Sequence, residues 1–540
     1  MVKSGLNYGF GIGFWGPNGH DGVWHISIAR SLAGGTWEMP VFAGVDIKNY
    51  HLGFDILLSA LHKITFIPIS ILYFQILPIV FSLAAGLFCY RMVFSWSKSR
   101  LQGFWATFFL YFGGGLGWLV TLVREGRIDG ESIFWSQQSI STLINPPFAL
   151  SLIFLFLGIL LLKLGIEKDD SSLLMFSTFS FGILSQVKIY ACILALVGLF
   201  LSGLYLLVVE RSAKLLKVFV GSLVISILLL PLDLNERKNF VEFRPFWFLE
   251  SMLASYDRLN WQRLAQAVAN YRLGGFWIKS SLVYFFSFVV FLFGNFGTRA
   301  IGILYLREGF VNSSVRYLYI LATSVVLAGV IIPLFFVQTG NPWNTIQFFY
   351  YSLVFMGIFA GAWIGRTLQR NRSNRLLYYL FVGLIVVFTI PTTVGTLWYH
   401  YLPKRPPSAI YNTEIEALNF LESLPEGTVL TKLFDRDASR IAQKAPPLDL
   451  YLYESTAYVS AFSGKKVFLE DEVNLEITGY DWKNRREDVK KFFEHPTPEF
   501  LSKNNIKYLY LVADSSAKQF GDYLKEIFRN DFVVIYKFDK

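Results

Sequence analysis

Apolar runs of about 20 residues recur from residue 69 to residue 398, and a helix of about that length spans the ~30 Å hydrocarbon core of a bilayer. The pattern predicts ten crossings, at 69–94, 103–123, 147–165, 172–187, 190–209, 214–232, 280–304, 315–337, 345–367 and 376–398. Residues 1–68 are more polar and carry two helical stretches. The first, 22–33, is opened by Asp21 as N-cap and closed by Gly34-Gly35. In the second, 51–63, Leu52, Ile56, Leu57, Ala60 and Leu61 recur at helical spacing while His51, Asp55, His62 and Lys63 interrupt them. It is too short and too polar to cross, and is expected to lie in the interface.

Pro403-Lys404-Arg405-Pro406-Pro407 is a stiff break. Beyond it, helical patterns at 414–424, 485–494 and 516–528 mix with β-branched runs at 428–431, 465–469, 508–512 and 532–536. The expected architecture is an outer loop with juxtamembrane helices (1–68), an all-α polytopic membrane domain of about ten transmembrane helices (69–402), and a C-terminal soluble α/β domain (403–540).

Composition agrees: 54% hydrophobic, 16% charged, mean hydropathy +0.44. Cys89 and Cys192 both lie in apolar runs and offer neither a disulfide framework nor a metal-ligand spacing. The net charge of +10 is uneven: from Pro403 onward there are 20 Lys and Arg against 22 Asp and Glu, so the excess belongs to the membrane part. A slightly acidic tail argues against nucleic-acid binding. Arg91, Lys98, Arg100, Lys168, Arg211, Lys214, Lys217, Arg307, Arg316, Arg366, Arg370, Arg372 and Arg375 fall on one side of the predicted crossings, which the positive-inside rule makes cytoplasmic. An even number of crossings then puts the Asp21 loop and the tail together outside a plasma (inner) membrane.

Four of the six histidines, His20, His25, His51 and His62, lie between Asn18 and His62, among Asp21, Glu38, Asp46, Lys48 and Asp55. Ionisable groups gathered at the border of an apolar body mark a candidate site. A carboxylate at Asp21, with His20 adjoining and His25 one helical turn on, can act as general base toward an acceptor hydroxyl or bind a cation; it can equally serve only as a helix cap. Glu38 and Asp46 are candidates for a second acid. Lys48 and His51, in IKNYHLGF, are placed to meet a lipid phosphate at headgroup depth, and Lys188 is expected at the outer interface. HDxxxH supplies three donors at most, too few for a zinc site. In the tail, Asp471, Glu472, Asp481, Trp482, Arg485 and Arg486 form a polar cluster read as ordinary solvated surface or, alternatively, as a contact for an acceptor glycan.

HDGVWHISIARSLAGG (His20 to Gly35), IKNYHLGF (Ile47 to Phe54) and SQVKIY (Ser185 to Tyr190), with the crossings and the extracytoplasmic tail, resemble the GT-C superfamily of polytopic glycosyltransferases that use polyprenyl-phosphate-linked sugars, the bacterial membrane-glycosyltransferase group above all. The resemblance implies a hexosyl- or pentosyltransferase that inverts the sugar carbon. Asp21 would be base or acceptor-orienting group, with His20, His25, Glu38 and Asp46 around it, and Lys48, His51 and Lys188 would bind the donor phosphate. The partners it implies are a polyprenyl-phosphate sugar donor, membrane lipid and a glycan, lipid or protein acceptor. It implies no required cofactor, with room for Mg²⁺ or Mn²⁺. Two departures stand out. No spanning helix precedes the acidic loop, so that either the start is truncated or residues 6–15 re-enter the membrane; and Gly22 follows Asp21 where some branches carry a paired acid. A non-catalytic envelope or assembly protein, and a transporter of a lipid-linked saccharide, are the competing readings.

Overall fold

The computed structural model describes residues 3–230, 241–312, 315–370, 375–442, 446–512 and 520–539. Arg372 of the basic loop, residues 231 and 232 of the predicted 214–232 crossing, and Ser516 to Gln519 of the expected tail helix lie outside them. The chain divides into two compact units, one formed by Met1–Leu77 and His400–Lys540, the other by Pro78–Leu230 and Asn239–Tyr399.

Among the described residues, six helices are long and apolar enough to cross a membrane: Ile69–Ser97 (which begins in the first unit), Pro146–Lys168, Ile189–Val209, Trp277–Phe310, Arg316–Phe335 and Pro342–Arg370. Two bent pairs bring the number to as many as eight. Arg100–Phe112 and Gly117–Glu125 meet at 40°, where Gly113-Gly114-Gly115 ends the first helix; Leu376–Thr389 and Pro391–Tyr401 meet at 41°, at Pro391. The expectation of about ten is therefore trimmed. Lys214–Leu229 has 16 residues, about 24 Å of helix, and 172–187 is split into Ser171–Gly182 and Leu184–Val187. Each falls short of a full span by itself.

Pro342–Arg370 is apolar nearly all round and almost wholly buried, as expected of a helix at the centre of a bundle. Gly357, Gly361 and Gly365, four residues apart, face Arg100–Phe112 so closely that a Cβ at Gly361 would lie 2.4 Å from the backbone nitrogen of Ala106. Small residues at this spacing let two helix backbones approach where no hydrophobic effect drives helices together. Trp105, Phe109, Ala360, Ile364 and Leu368 fill the seam on either side.

The first unit joins the two ends of the chain. Residues 6–15, for which membrane re-entry is one of the two expectations, form a hairpin, Asn7–Tyr8 with Gly11–Phe14. Gly11–Phe14 pairs antiparallel with Ser408–Tyr411, which runs parallel to Leu448–Asp449. A second sheet holds Thr428–Thr431, Ile506–Val512, Val533–Phe538 and Leu524–Arg529 in that order. The expected helix at 516–528 is corrected in its described part: Leu524–Arg529 is a strand paired with Val533–Phe538. The Asn530 side chain accepts from the backbone of Phe532 and Val533, the local turn chemistry that closes a hairpin. The run at 465–469 contributes only a bridge, Val429 to Val467.

Candidate active site

Helix Asp21–Ala33 begins at Asp21, not Gly22, and its N-cap position, His20, makes no side-chain cap bond. Asp21 is thus the first residue of the helix and not its N-cap. Asp21 Oδ1 lies 3.1 Å from His20 Nδ1, and the side chain is 53% exposed. On the other edge of the ring, His20 Nε2 lies 3.4 Å from Asp471 Oδ1, whose side chain is 0% exposed. Asp471 is held rigidly, its two oxygens accepting from the backbone and side-chain nitrogens of Asn474 at the start of helix Glu472–Thr478. Glu454 adds its charge to the group. Burial alone would lower the pKa of His20, but Asp471, Asp21 and Glu454 outweigh it and hold the imidazole well above its ordinary range. Glu454 is itself raised by burial, against the pull of His20.

The sequence folds this way because the first outer loop is sewn to the tail. Val467 N donates to Pro40 O, Glu470 N to Val41 O, and Ala43 N to Val467 O. Ser27 Oγ meets Ser460 Oγ at 2.8 Å. The glycine after Asp21 is a packing requirement, since a Cβ there would fall 2.6 Å from Phe74 Cζ. Phe74 and Tyr73 are presented by a π-helical turn, Leu72–Ile76, a local widening of the kind found at functional sites.

His25, expected to share a face with Asp21, turns to Asp55 instead: Nδ1 lies 2.7 Å from Asp55 Oδ1, and the ring stacks on Tyr73. Asp55 is fully buried, and burial raises its pKa against the pull of His25. The pair staples Asp21–Ala33 to helix Gly53–Thr65. Asp55→Ala leaves the buried imidazole without its acceptor, and we expect a loss of about 1–3 kcal/mol, read as a lower melting temperature with faster hydrogen exchange in Asp21–Ala33; unchanged exchange there would remove the staple role.

Of the candidates for a second acid, Glu38 is engaged elsewhere, and Asp46 is held through its backbone and is exposed. Glu38 pairs with Lys466 and accepts from Gly44 N at 2.5 Å; burial opposes but Lys466 prevails, and its pKa is lowered. Asp46 bridges Glu38 through the backbone, and its carbonyl accepts from Tyr480. The acids beside Asp21 are Asp471 and Glu454 from the tail. Sequence reasoning placed Asp471 on the solvated surface and passed over Glu454; the acidic run Glu470-Asp471-Glu472 was the visible signal. Lys48 lies over the Tyr480 ring at 5.3 Å. His51 stacks on Tyr50 at 4.6 Å, and Tyr50 in turn feels the charges of Asp55 and Asp21. Lys188 belongs to the other unit, at the break between Leu184–Val187 and Ile189–Val209, with its ammonium 5.9 Å from the Tyr190 ring centre. That unit also holds an acid the sequence reading missed, Glu131, which burial pushes up to about 7 against the pull of Arg299.

Among the described residues no three His, Cys, Asp or Glu side chains are grouped to hold a metal. At Asp21 the reason is visible: the His20 ring stands between the two aspartates, where a cation would have to sit. The donor set does not fit Mg²⁺ or Mn²⁺.

His20, Glu454 and Glu470, whose pKa is pushed up to about 8 by burial, all have folded-state values above their unfolded ones, so the folded chain binds more protons. The His20 contribution is fully present below its ordinary 6.5 and is lost as the pH rises through the raised value; the penalty for Glu470 accumulates between 4.5 and about 8. The melting temperature should therefore fall from about pH 5 to about pH 9, and His20→Gln should flatten the upper part of that fall. A flat or rising profile would contradict the assignment.

The fold of this chain is similar to that of solved archaeal oligosaccharyltransferase structures. The oligosaccharyltransferase of Archaeoglobus fulgidus, in complex with Zn and sulfate, superposes with a TM-score of 0.52 at 12% identity, over 94% of this chain and 66% of that one. Its apo form gives 0.51 at 12% identity, over 94% and 67%. This chain thus spans just under two thirds of the first neighbour's length. ArnT from Cupriavidus metallidurans, bound to undecaprenyl phosphate, aligns over 97% of this chain and 94% of its own with a TM-score of 0.45 at 10% identity. No protein-family model and no curated protein matches the chain.

Proposed function

We propose that this chain is a multi-pass membrane glycosyltransferase that moves a sugar from a polyprenyl-phosphate-linked donor to an extracytoplasmic acceptor at the outer face of a plasma membrane. The observation that carries the reading is the half-exposed Asp21 carboxylate beside a buried histidine that a second, wholly buried aspartate holds from behind. Of the two aspartates, only Asp21 can reach a substrate. His20 fixes its orientation, and Asp471 fixes His20.

In the proposed reaction, Asp21 orients the acceptor hydroxyl and takes its proton as the acceptor oxygen attacks the anomeric carbon. The bond from that carbon to the phosphate oxygen breaks, the pair of electrons leaves with the lipid phosphate, and the carbon inverts. Lys48 and His51, on the strap that also carries Tyr50, would offset the charge developing on the leaving phosphate. No step is routed through a metal. The likeness in fold supports the reading, as does the join between first loop and tail that assembles the Asp21 group.

The test supplies purified, detergent-solubilised chain with a panel of polyprenyl-phosphate sugars and a mixed glycan, lipid and peptide acceptor pool. Release of free polyprenyl phosphate that depends on acceptor is the expected result; no release from any donor would overturn the reading.

A further inference from the structure

The tail of the first unit contains a cavity of ≈ 530 Å³, within the size range of small-molecule pockets. Phe434, Leu452 and Ile441 give it an apolar wall, and Tyr451, Glu454 and Glu470 a polar one. The cavity adjoins the Asp21 group through two connections. Glu454 lines it and also acts on His20. Glu470 and Glu472 line it as well, while Asp471 between them contacts His20.

The charges decide what fits. Among the described lining residues, Asp435, Glu454, Glu470 and Glu472 stand against Lys432, so a phosphate, sulfate or uronate is opposed. Three of the four carboxyls are already committed: Glu472 pairs with Arg486, Asp435 accepts from the backbone of Asp437 and Ala438, and Glu470 accepts from the backbone of Val459 and Ser460. Glu454 lines the cavity with a carboxyl that can accept hydrogen bonds from sugar hydroxyls. An extended peptide would need a sheet edge to pair with, and the outer edge of Thr428–Thr431 is taken: Val429 N donates to Lys466 O and Phe468 N to Val429 O, each at 2.8 Å. An apolar wall facing hydroxyl partners suits a ring with a C–H face and a polar rim.

We propose that this cavity binds a neutral saccharide unit of the acceptor, holding it beside Asp21. The assignment rests on the glycosyltransferase reading for the word acceptor, but the binding site itself does not. Ile441, 76% exposed at the rim on helix Arg436–Ala442, allows the cavity to be plugged without disturbing the core.

The experiment is calorimetric titration of the full-length detergent-solubilised chain with maltotriose, mannotriose and galactotriose, with trigalacturonate and a pentalysine peptide as charged comparators. At least one neutral trisaccharide should bind. Ile441→Trp and, separately, Ala438→Trp should weaken it tenfold or more. The proposal is overturned if no neutral trisaccharide binds, if only a charged comparator binds, or if both tryptophan variants bind as the parent does. Failure of the glycosyltransferase reading looks different: saccharide binding persists and responds to the plug, yet no polyprenyl phosphate is released from any donor.

Discussion

Asp21→Asn should abolish transfer while leaving the fold intact. Asparagine keeps the shape and one acceptor oxygen toward His20 Nδ1, which lies 3.1 Å away, but it cannot take a proton. Removing a positioned general base costs roughly 10²–10⁴-fold in rate, and that is the loss expected in acceptor-dependent release of lipid phosphate. The stability cost should be small. The side chain is 53% exposed, and exposed ion pairs contribute about 0–1 kcal/mol. The melting temperature should therefore move little. Transfer at the parental rate would leave Asp21 without a chemical role, which is what a non-catalytic envelope or assembly protein predicts.

Gly361→Ile should prevent the membrane bundle from forming. A Cβ at Gly361 meets the backbone of Trp105 and Ala106 at 2.4 Å, and its neighbour Gly365 meets the Cα of Gln102 at 2.6 Å. Overpacking in a core ordinarily costs about 1–3 kcal/mol because side chains can shift. Here the opposing atoms are main chain, so one of two long helices must move and the seam filled by Phe109, Ile364 and Leu368 opens. The expected outcome is loss of a single symmetric species in size-exclusion chromatography in detergent, with Gly361→Ala intermediate. A Gly361→Ile protein that melts with the parent would show that the seam is looser than this contact requires.

The membrane body was legible because its signal is local. An apolar run of about 20 residues has one answer in a bilayer whatever surrounds it, and the long runs became long helices. The misses are where local and tertiary signals part. Residues 6–15 carry a weak pattern of glycine and aromatics that fits several fates; what made them a hairpin is the distant strand Ser408–Tyr411. Residues 524–529 read as helix by their spacing of apolar positions, but a neighbouring strand and the Asn530 turn decided otherwise.

The candidate site divides in the same way. Asp21 stood out from the sequence because a carboxylate among histidines at a membrane border is unusual there. Its partner did not. Asp471 is separated from it by nearly the whole chain, and a local window around Asp471 shows only the charged residues of an ordinary surface; that it is wholly buried against His20 follows from the hydrogen bonds between the first loop and the tail. His25 was grouped with Asp21 by helical spacing alone, and Asp55, on another helix, claimed it.

What the sequence by itself determined is thus the class of environment: a polytopic membrane chain with one acidic, histidine-rich border segment and a mixed α/β tail. Only the tertiary structure decided which acids act together, that Glu38 belongs to Lys466 and not to Asp21, and that the two ends of the chain build one unit. The physical reason is one of range. Hydrophobic length and helical period are written in consecutive residues, whereas the pairing of buried charges depends on which distant groups the packed backbone brings within a few ångströms.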